Sequence, residues 1–161
     1  MAIASEICNS FKQEILVEGH NFTNGADSFK IALFSSNSAS LGKGTTVYTA
    51  PSSANAVPTN TLEVSQSQTD GGSSNTGYTA GGNALTSTTP VLSGDTACVK
   101  FADTSFTSAT FTARGCLIYN STNSNKAVCA VNFGADKTVT SGTFTVQFPA
   151  QTAGNAIVQI A

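Results

Sequence analysis

Hydrophobic positions follow two different rhythms along this chain. From Ile3 to about Glu18, Ile3, Ile7, Phe11 and Ile15 recur every four residues, and Ala4, Cys8 and Leu16 widen the stripe. That spacing predicts an N-terminal helix with one apolar face. Glu6, Lys12, Gln13 and Glu14 fall on its other faces, Ser5 is a cap for a slightly later start, and Gly19 is placed to end it. After Ser28 the period shortens to two. Phe29, Ile31 and Leu33 alternate with Lys30, Ala32 and Phe34, which predicts a strand. Short strands are expected at 45–49, 62–66 and 84–89. The segment 50–76, with Pro51 and Pro58 and a Gly-rich stretch, reads as long and irregular, and Gly77 to Gly82 as a turn or bulge.

The C-terminal half repeats the short period. Ala97 to Phe101, Ser105 to Ala113, Gly115 to Asn120, Lys126 to Phe133, Gly142 to Phe148 and Ala156 to Ile160 each read as a strand. Asn120 to Asn125 is polar and joins two of them as a hairpin. Closely spaced strands with turn signals between them predict a mainly β fold, an antiparallel β-sandwich or jelly roll with a short N-terminal helix. At 161 residues the chain suits a single domain, 1–161, divided into helix 1–19 and sandwich 28–161.

Composition sharpens this picture. Charged residues are 10% of the chain, against roughly 25% in ordinary soluble proteins, while hydrophobic content is 40%. Hydroxyls and amides fill the deficit, giving a surface that is easily desolvated and suited to being covered by other chains. The net charge of −2 and the absence of any basic run argue against nucleic acid. No apolar run reaches the ~18 residues of a membrane helix, and no signal peptide is visible. Cys8, Cys98, Cys116 and Cys129 form no CxxC pair, and read as small apolar side chains that stay reduced.

Little in the chain points to catalysis. His20 is the only histidine and has no nucleophile or acid beside it in a recognisable arrangement; a surface or capping role is expected. Gly42-Lys-Gly-Thr45 lacks both the earlier Gly and the Ser or Thr directly after Lys of a phosphate loop, and reads as a turn. Glu14 and Glu18 would share a solvated helical face with Glu6 nearby. Asp95, Asp103 and Asp136 fall at expected turns without calcium-loop spacing. No enzyme activity, metal or cofactor is expected. Arg114, the only arginine, either pairs with an Asp or anchors an interface.

Several segments carry a resemblance. Phe29-Lys-Ile-Ala-Leu-Phe34, Gly77-Tyr-Thr-Ala-Gly-Gly82, Phe111-Thr-Ala-Arg-Gly115 with Ile118-Tyr-Asn120, Val131-Asn-Phe-Gly-Ala-Asp-Lys137 and Phe144-Thr-Val-Gln-Phe-Pro149 resemble small virion proteins of tailed bacteriophages, as does the N-terminal Ile7-Cys-Asn-Ser-Phe-Lys-Gln-Glu14. The resemblance implies a virion structural protein made in the host cytoplasm, and carries over no catalytic residue. The first expectation is a capsid decoration or cement protein, a homotrimer bound to the major capsid protein lattice. The alternative is a tail or tail-fibre component, an adaptor or receptor-binding head. A carbohydrate-binding or hydrolytic module is the third. The apolar stripe Ile3, Ile7, Phe11 and Ile15, with Arg114, is expected to form an interface with a neighbouring chain.

Overall fold

The four strands expected between Ser105 and Phe148 are two. Residues 3–35, 41–49, 63–64, 69–70, 73–74 and 76–161 are described by a computed structural model. In it, a 17-residue strand β8 (Thr104–Asn120) runs back along a 21-residue strand β9 (Lys126–Val146). Gly115 and the Gly134-to-Gly142 stretch, which look like breaks in sequence, are absorbed as register shifts, among them one between Ala113 and Gly115. Ser108 and Ser141 take positive φ near two of the shifts. The hairpin tip, Ser121 to Asn125, is where the polar run predicts it.

The remaining elements, in chain order, are β1 (Glu6–Ile7), α1 (Asn9–Glu14), β2 (Phe29–Phe34), β3 (Thr69–Asp70), β4 (Ser73–Ser74), β5 (Asn83–Leu85), β6 (Val91–Ser93), β7 (Thr96–Val99) and β10 (Val158–Ile160). One antiparallel sheet has the order β1-β9-β8-β2-β5, a second β10-β7-β6, and β3 pairs with β4 alone. The chain is therefore mainly β and built from antiparallel sheets, as its period-two runs require. A single hydrophobic core joins the two larger sheets: Phe29, Ile31, Leu33, Leu117 and Val128 come from the first, Val99 and Val158 from the second. Aromatic rings run through it, Phe22 stacked on Phe29 at 4.6 Å and Phe29 tilted against Phe101 at 5.5 Å. All six residues of β2 but Lys30 are buried, so its alternation does not separate a wet face from a dry one. Of the segment 50–76, residues 50–62, 65–68, 71–72 and 75 lie outside the described residues. Glu63 bridges to Phe34 and Thr76 to Thr110, each antiparallel.

The N-terminal helix is shorter than its periodicity predicts. Residues 3–8 are extended, with Glu6 and Ile7 paired to Ala130 and Cys129. Ala4 N–H donates to Leu41 O at 2.9 Å, Cys8 N–H to Val128 O at 3.0 Å, and the Asn132 side chain to Ile3 O at 2.6 Å. A strand edge with unmet backbone groups outbids one turn of isolated helix, and β-branched Ile3 and Ile7 suit an extended chain. Ile3 packs over Gly115, where any Cβ would collide with the Val131 carbonyl oxygen. Helix α1 begins at Asn9, and Ser5 caps nothing: its hydroxyl accepts Asn132 N–H at 2.9 Å. One 3-10 turn, Ile15–Val17, follows, and Glu18, not Gly19, takes the left-handed conformation (φ 57°). Gly19 is still needed, because its N–H reaches Glu14 O and a Cβ would meet that same oxygen at 2.8 Å.

This placement corrects the expected interface stripe. Ile3 and Phe11 are 3% and 2% exposed and belong to the chain's own core, so neither offers surface to a neighbour. Ile7 and Ile15 pack against that core half-buried, and Leu16, counted into the stripe, is 82% exposed. Phe11→Ala should accordingly destabilise the isolated domain by about 3–5 kcal/mol in denaturant unfolding, the usual cost of an emptied aromatic site. A loss below about 1 kcal/mol would return Phe11 to the surface.

Candidate functional site

All three tyrosines of the chain converge on one buried carboxylate. Glu63 is fully buried. Tyr78 donates to its Oε1 at 2.6 Å, Gly81 N–H to the same oxygen at 2.6 Å, and Tyr48 to Oε2 at 2.8 Å. Tyr119 stacks on Tyr48 with centroids 4.3 Å apart and donates to Gly81 O at 2.8 Å. Tyr78 also accepts Leu33 N–H at 2.9 Å, in the stretch of β2 that β5 does not reach. The turn at Gly81 and Gly82 makes this approach possible. Both have positive φ, and a Cβ at Gly82 would collide with the Ile31 carbonyl oxygen.

No cation among the described residues pairs with Glu63. Burial raises its carboxyl above the ordinary range, and the bonds from Tyr78, Gly81 and Tyr48 only partly offset this. The tyrosines move the same way. Burial first, then the Glu63 charge, raises Tyr48 and Tyr78, and lifts Tyr119 to about 12. These phenols stay protonated as donors. The arrangement ties Glu63 and Val64 to β2 and to the Gly81 turn; it has the geometry of a clasp, with no exposed acid or base.

A second polar cluster lies at the hairpin tip. His20, expected at the surface, is 6% exposed. Its Nε2 lies 2.8 Å from Glu14 Oε2, and its Nδ1 faces Asn120 Nδ2 at 3.2 Å. Asn120 Oδ1 accepts N–H from Thr122 and Asn123, and its Nδ2 also donates to Asp27 at 2.7 Å. That orients the amide, makes His20 Nδ1 the acceptor and leaves the ring proton on Nε2, donated to Glu14. Lys126 reaches the other Glu14 oxygen at 3.6 Å. Glu14 is therefore not on a solvated face shared with Glu18. Its partners are Lys126, the first residue of β9, and the His20 ring, which lies between Phe11 and Phe22.

Arg114 takes the structural option. Its Nε lies 3.3 Å from Asp136 Oδ1 and its Nη1 donates to Gly134 O at 3.2 Å, holding β9 where its register with β8 shifts. Asp136 is thus within a strand and not at a turn. Residues 42–45 do form a turn, closed by Thr45 N–H to Gly42 O at 3.0 Å. All four cysteines are free and buried. Burial, with nearby Glu14 and Glu6, raises Cys8 to about 11, and burial raises Cys116 to about 12, so neither is a ready nucleophile. Among the described residues no group of His, Cys, Asp or Glu is arranged to hold a metal ion, and no helix is long and apolar enough to cross a membrane.

Sequence reasoning missed Glu63 altogether, since a lone Glu in a short polar-flanked run gives no periodic signal. Tyrosine count was the available hint: three phenols in a chain without Trp, each beside a glycine or a β-branched residue. Comparison with family models, with curated proteins and with solved structures finds no match to this chain.

Glu63 sets a pH test. A carboxyl whose folded pKa lies above its unfolded value contributes stability that is complete below the unfolded value and is lost as pH rises through the folded one. The wild-type protein should therefore lose thermal stability relative to Glu63→Gln as pH climbs out of the ordinary carboxylate range. A difference in melting temperature that stays constant with pH would show that burial does not perturb this group. Tyr78→Phe removes one bond to Glu63 and orphans Leu33 N–H, and should cost about 1–3 kcal/mol at any pH.

Proposed function

We propose that this chain is a non-catalytic structural protein of a bacteriophage virion, a decoration or cement protein that binds and stabilises the major capsid lattice. The observation that carries the non-catalytic part is the fate of its acid–base groups. The single histidine, Glu14 and Glu63 are each bound into contacts that fix the fold, and the cysteines are buried. The resemblance of the strand and turn motifs to small virion proteins of tailed phages supports the assignment to a particle.

The surface is consistent with a protein that ends up covered. Few charges interrupt it, and apolar side chains stand in register on the smaller sheet. Leu92 of β6 and Ile160 of β10 both lie opposite Ala97 of β7, and they are 76% and 54% exposed. Hydroxyls cost less to take from water than charges do, provided they find partners, so such a surface favours contacts that depend little on salt. Partners in this reading are the major capsid protein and further copies of the chain, as a trimer.

Copy number decides between capsid and tail. Quantitative mass spectrometry of purified particles should find the chain in proportion to the major capsid protein. A count matching the symmetry of the tail would make it an adaptor or fibre component instead, and absence from particles would overturn the virion reading. Added to particles stripped of it, the purified protein should restore resistance to heat or chelator, with little dependence on salt because few charges are involved.

A further inference from the structure

We propose that Asn24–Gly25 is a site of spontaneous backbone modification, at which the asparagine closes on the following amide and opens to aspartate or isoaspartate. It is the only Asn–Gly pair in the chain. The two residues are the tip of an exposed turn closed by Ala26 N–H to Thr23 O at 2.9 Å. Gly25 takes φ 82°, as the third residue of a type II turn does, and nothing lies within 4 Å of where its Cβ would stand.

Three features favour the reaction here. Glycine places no side chain in the path of its own nitrogen as that nitrogen approaches the neighbouring side-chain carbon. Among the described residues the Gly25 amide donates no hydrogen bond and the Asn24 side chain makes none. Only one turn bond must open for the backbone to reach the attacking geometry. Of the other described asparagines, Asn125 also lacks a side-chain bond, but it precedes Lys126, whose own side chain hinders the approach and whose amide donates to Asn123 O at 3.1 Å. Asn120 is fully buried with both side-chain atoms engaged, and Asn21, Asn83, Asn123 and Asn132 each make a side-chain bond.

The chemistry balances without a cofactor. The Gly25 nitrogen attacks Asn24 Cγ, a C–N bond forms, the Cγ–Nδ2 bond breaks, and the lost amide proton leaves with Nδ2 as ammonia. Water then hydrolyses the five-membered imide at one of its two carbonyls. Attack at the side-chain carbonyl gives aspartate, and attack at the backbone carbonyl gives isoaspartate with an extra methylene in the main chain. Either product adds a negative charge within the loop that carries Asp27 and Ser28. Those residues hold the hairpin tip, Asp27 through Asn120, and Ser28 through Thr122 and Ser121.

The test is incubation of the purified, folded protein in mildly alkaline buffer, followed by peptide mapping and enzymatic methylation of isoaspartate. The peptide containing position 24 should convert first, with both isomers present. Asn24→Gln should abolish conversion in that peptide, and Gly25→Ala should slow it at least tenfold. Because Gly25→Ala strains a positive φ, its circular dichroism is recorded alongside, and Asn24→Gln serves as the control that leaves the backbone free. Position 24 intact while another asparagine converts would overturn the proposal, as would equal conversion in the Gly25→Ala protein.

Discussion

The β8–β9 hairpin imposes the constraint around which the other elements are arranged: two long strands leave two long edges of unpaired backbone groups. On the β8 side, β2 covers Gly115 to Asn120 and Thr76 takes over at Thr110 through two reciprocal bonds. On the β9 side, Val47 bridges Lys126, Ala127 donates to Thr46 O, and residues 3–8 continue the cover to Asn132. The N-terminal segment is extended because this edge must be met, and the helix starts only where the need ends. Covering an edge with distant pieces of chain is slow work for a folding protein, since each piece closes a long loop before it gains a bond.

Pieces so far apart in sequence need fixed positions, and the two polar clusters supply them. Glu63 is held by Tyr48 from one segment and by Tyr78 and Gly81 from the glycine turn, two described segments with no backbone pairing between them. Glu14, His20, Asp27, Asn120 and Asn123 do the same for helix, loop and hairpin tip, with Asn123 donating to Gly19 O at 2.6 Å. A purely apolar seam would tolerate sliding by one residue, which in a strand exchanges its two faces. A buried carboxylate with three donors does not slide, because each lost bond leaves a buried polar atom unmet. The clusters contribute more to uniqueness of the fold than to its net stability.

Much of this was legible in residues, and the failures have specific causes. Strand β2, the hairpin tip, the glycine turn at 77–82 and the mainly β class follow from period and punctuation. The helix was overextended because Ile3, Ile7, Phe11 and Ile15 satisfy a four-residue repeat by coincidence: Ile3 and Ile7 face the core from an extended chain, Phe11 from a helix. Glycine misled in the opposite direction. Gly115, Gly134 and Gly142 read as strand ends, yet β8 and β9 run through them with shifted register. His20 and Glu63 were beyond reach, since their roles depend on partners 100 and 15 residues away, and no local pattern records such a pairing.

The distribution of polarity follows from the same economy. A few polar side chains, His20, Glu63 and Asn120 among them, are buried and lock seams, while the outside carries threonine, serine, the sparse charges and the exposed apolar pair Leu92 and Ile160. Strand-borne hydroxyls pair with each other across β8 and β9, Ser105 with Thr145 and Thr112 with Thr138, both at 2.9 Å. Their hydroxyls thereby satisfy one another and demand less of water. A surface whose polar groups are already partly mutually bonded loses little when a neighbour displaces solvent. For the proposed virion role, such a surface would supply a basis for assembly that requires neither an apolar patch large enough to aggregate the free protein nor a charge pattern sensitive to salt.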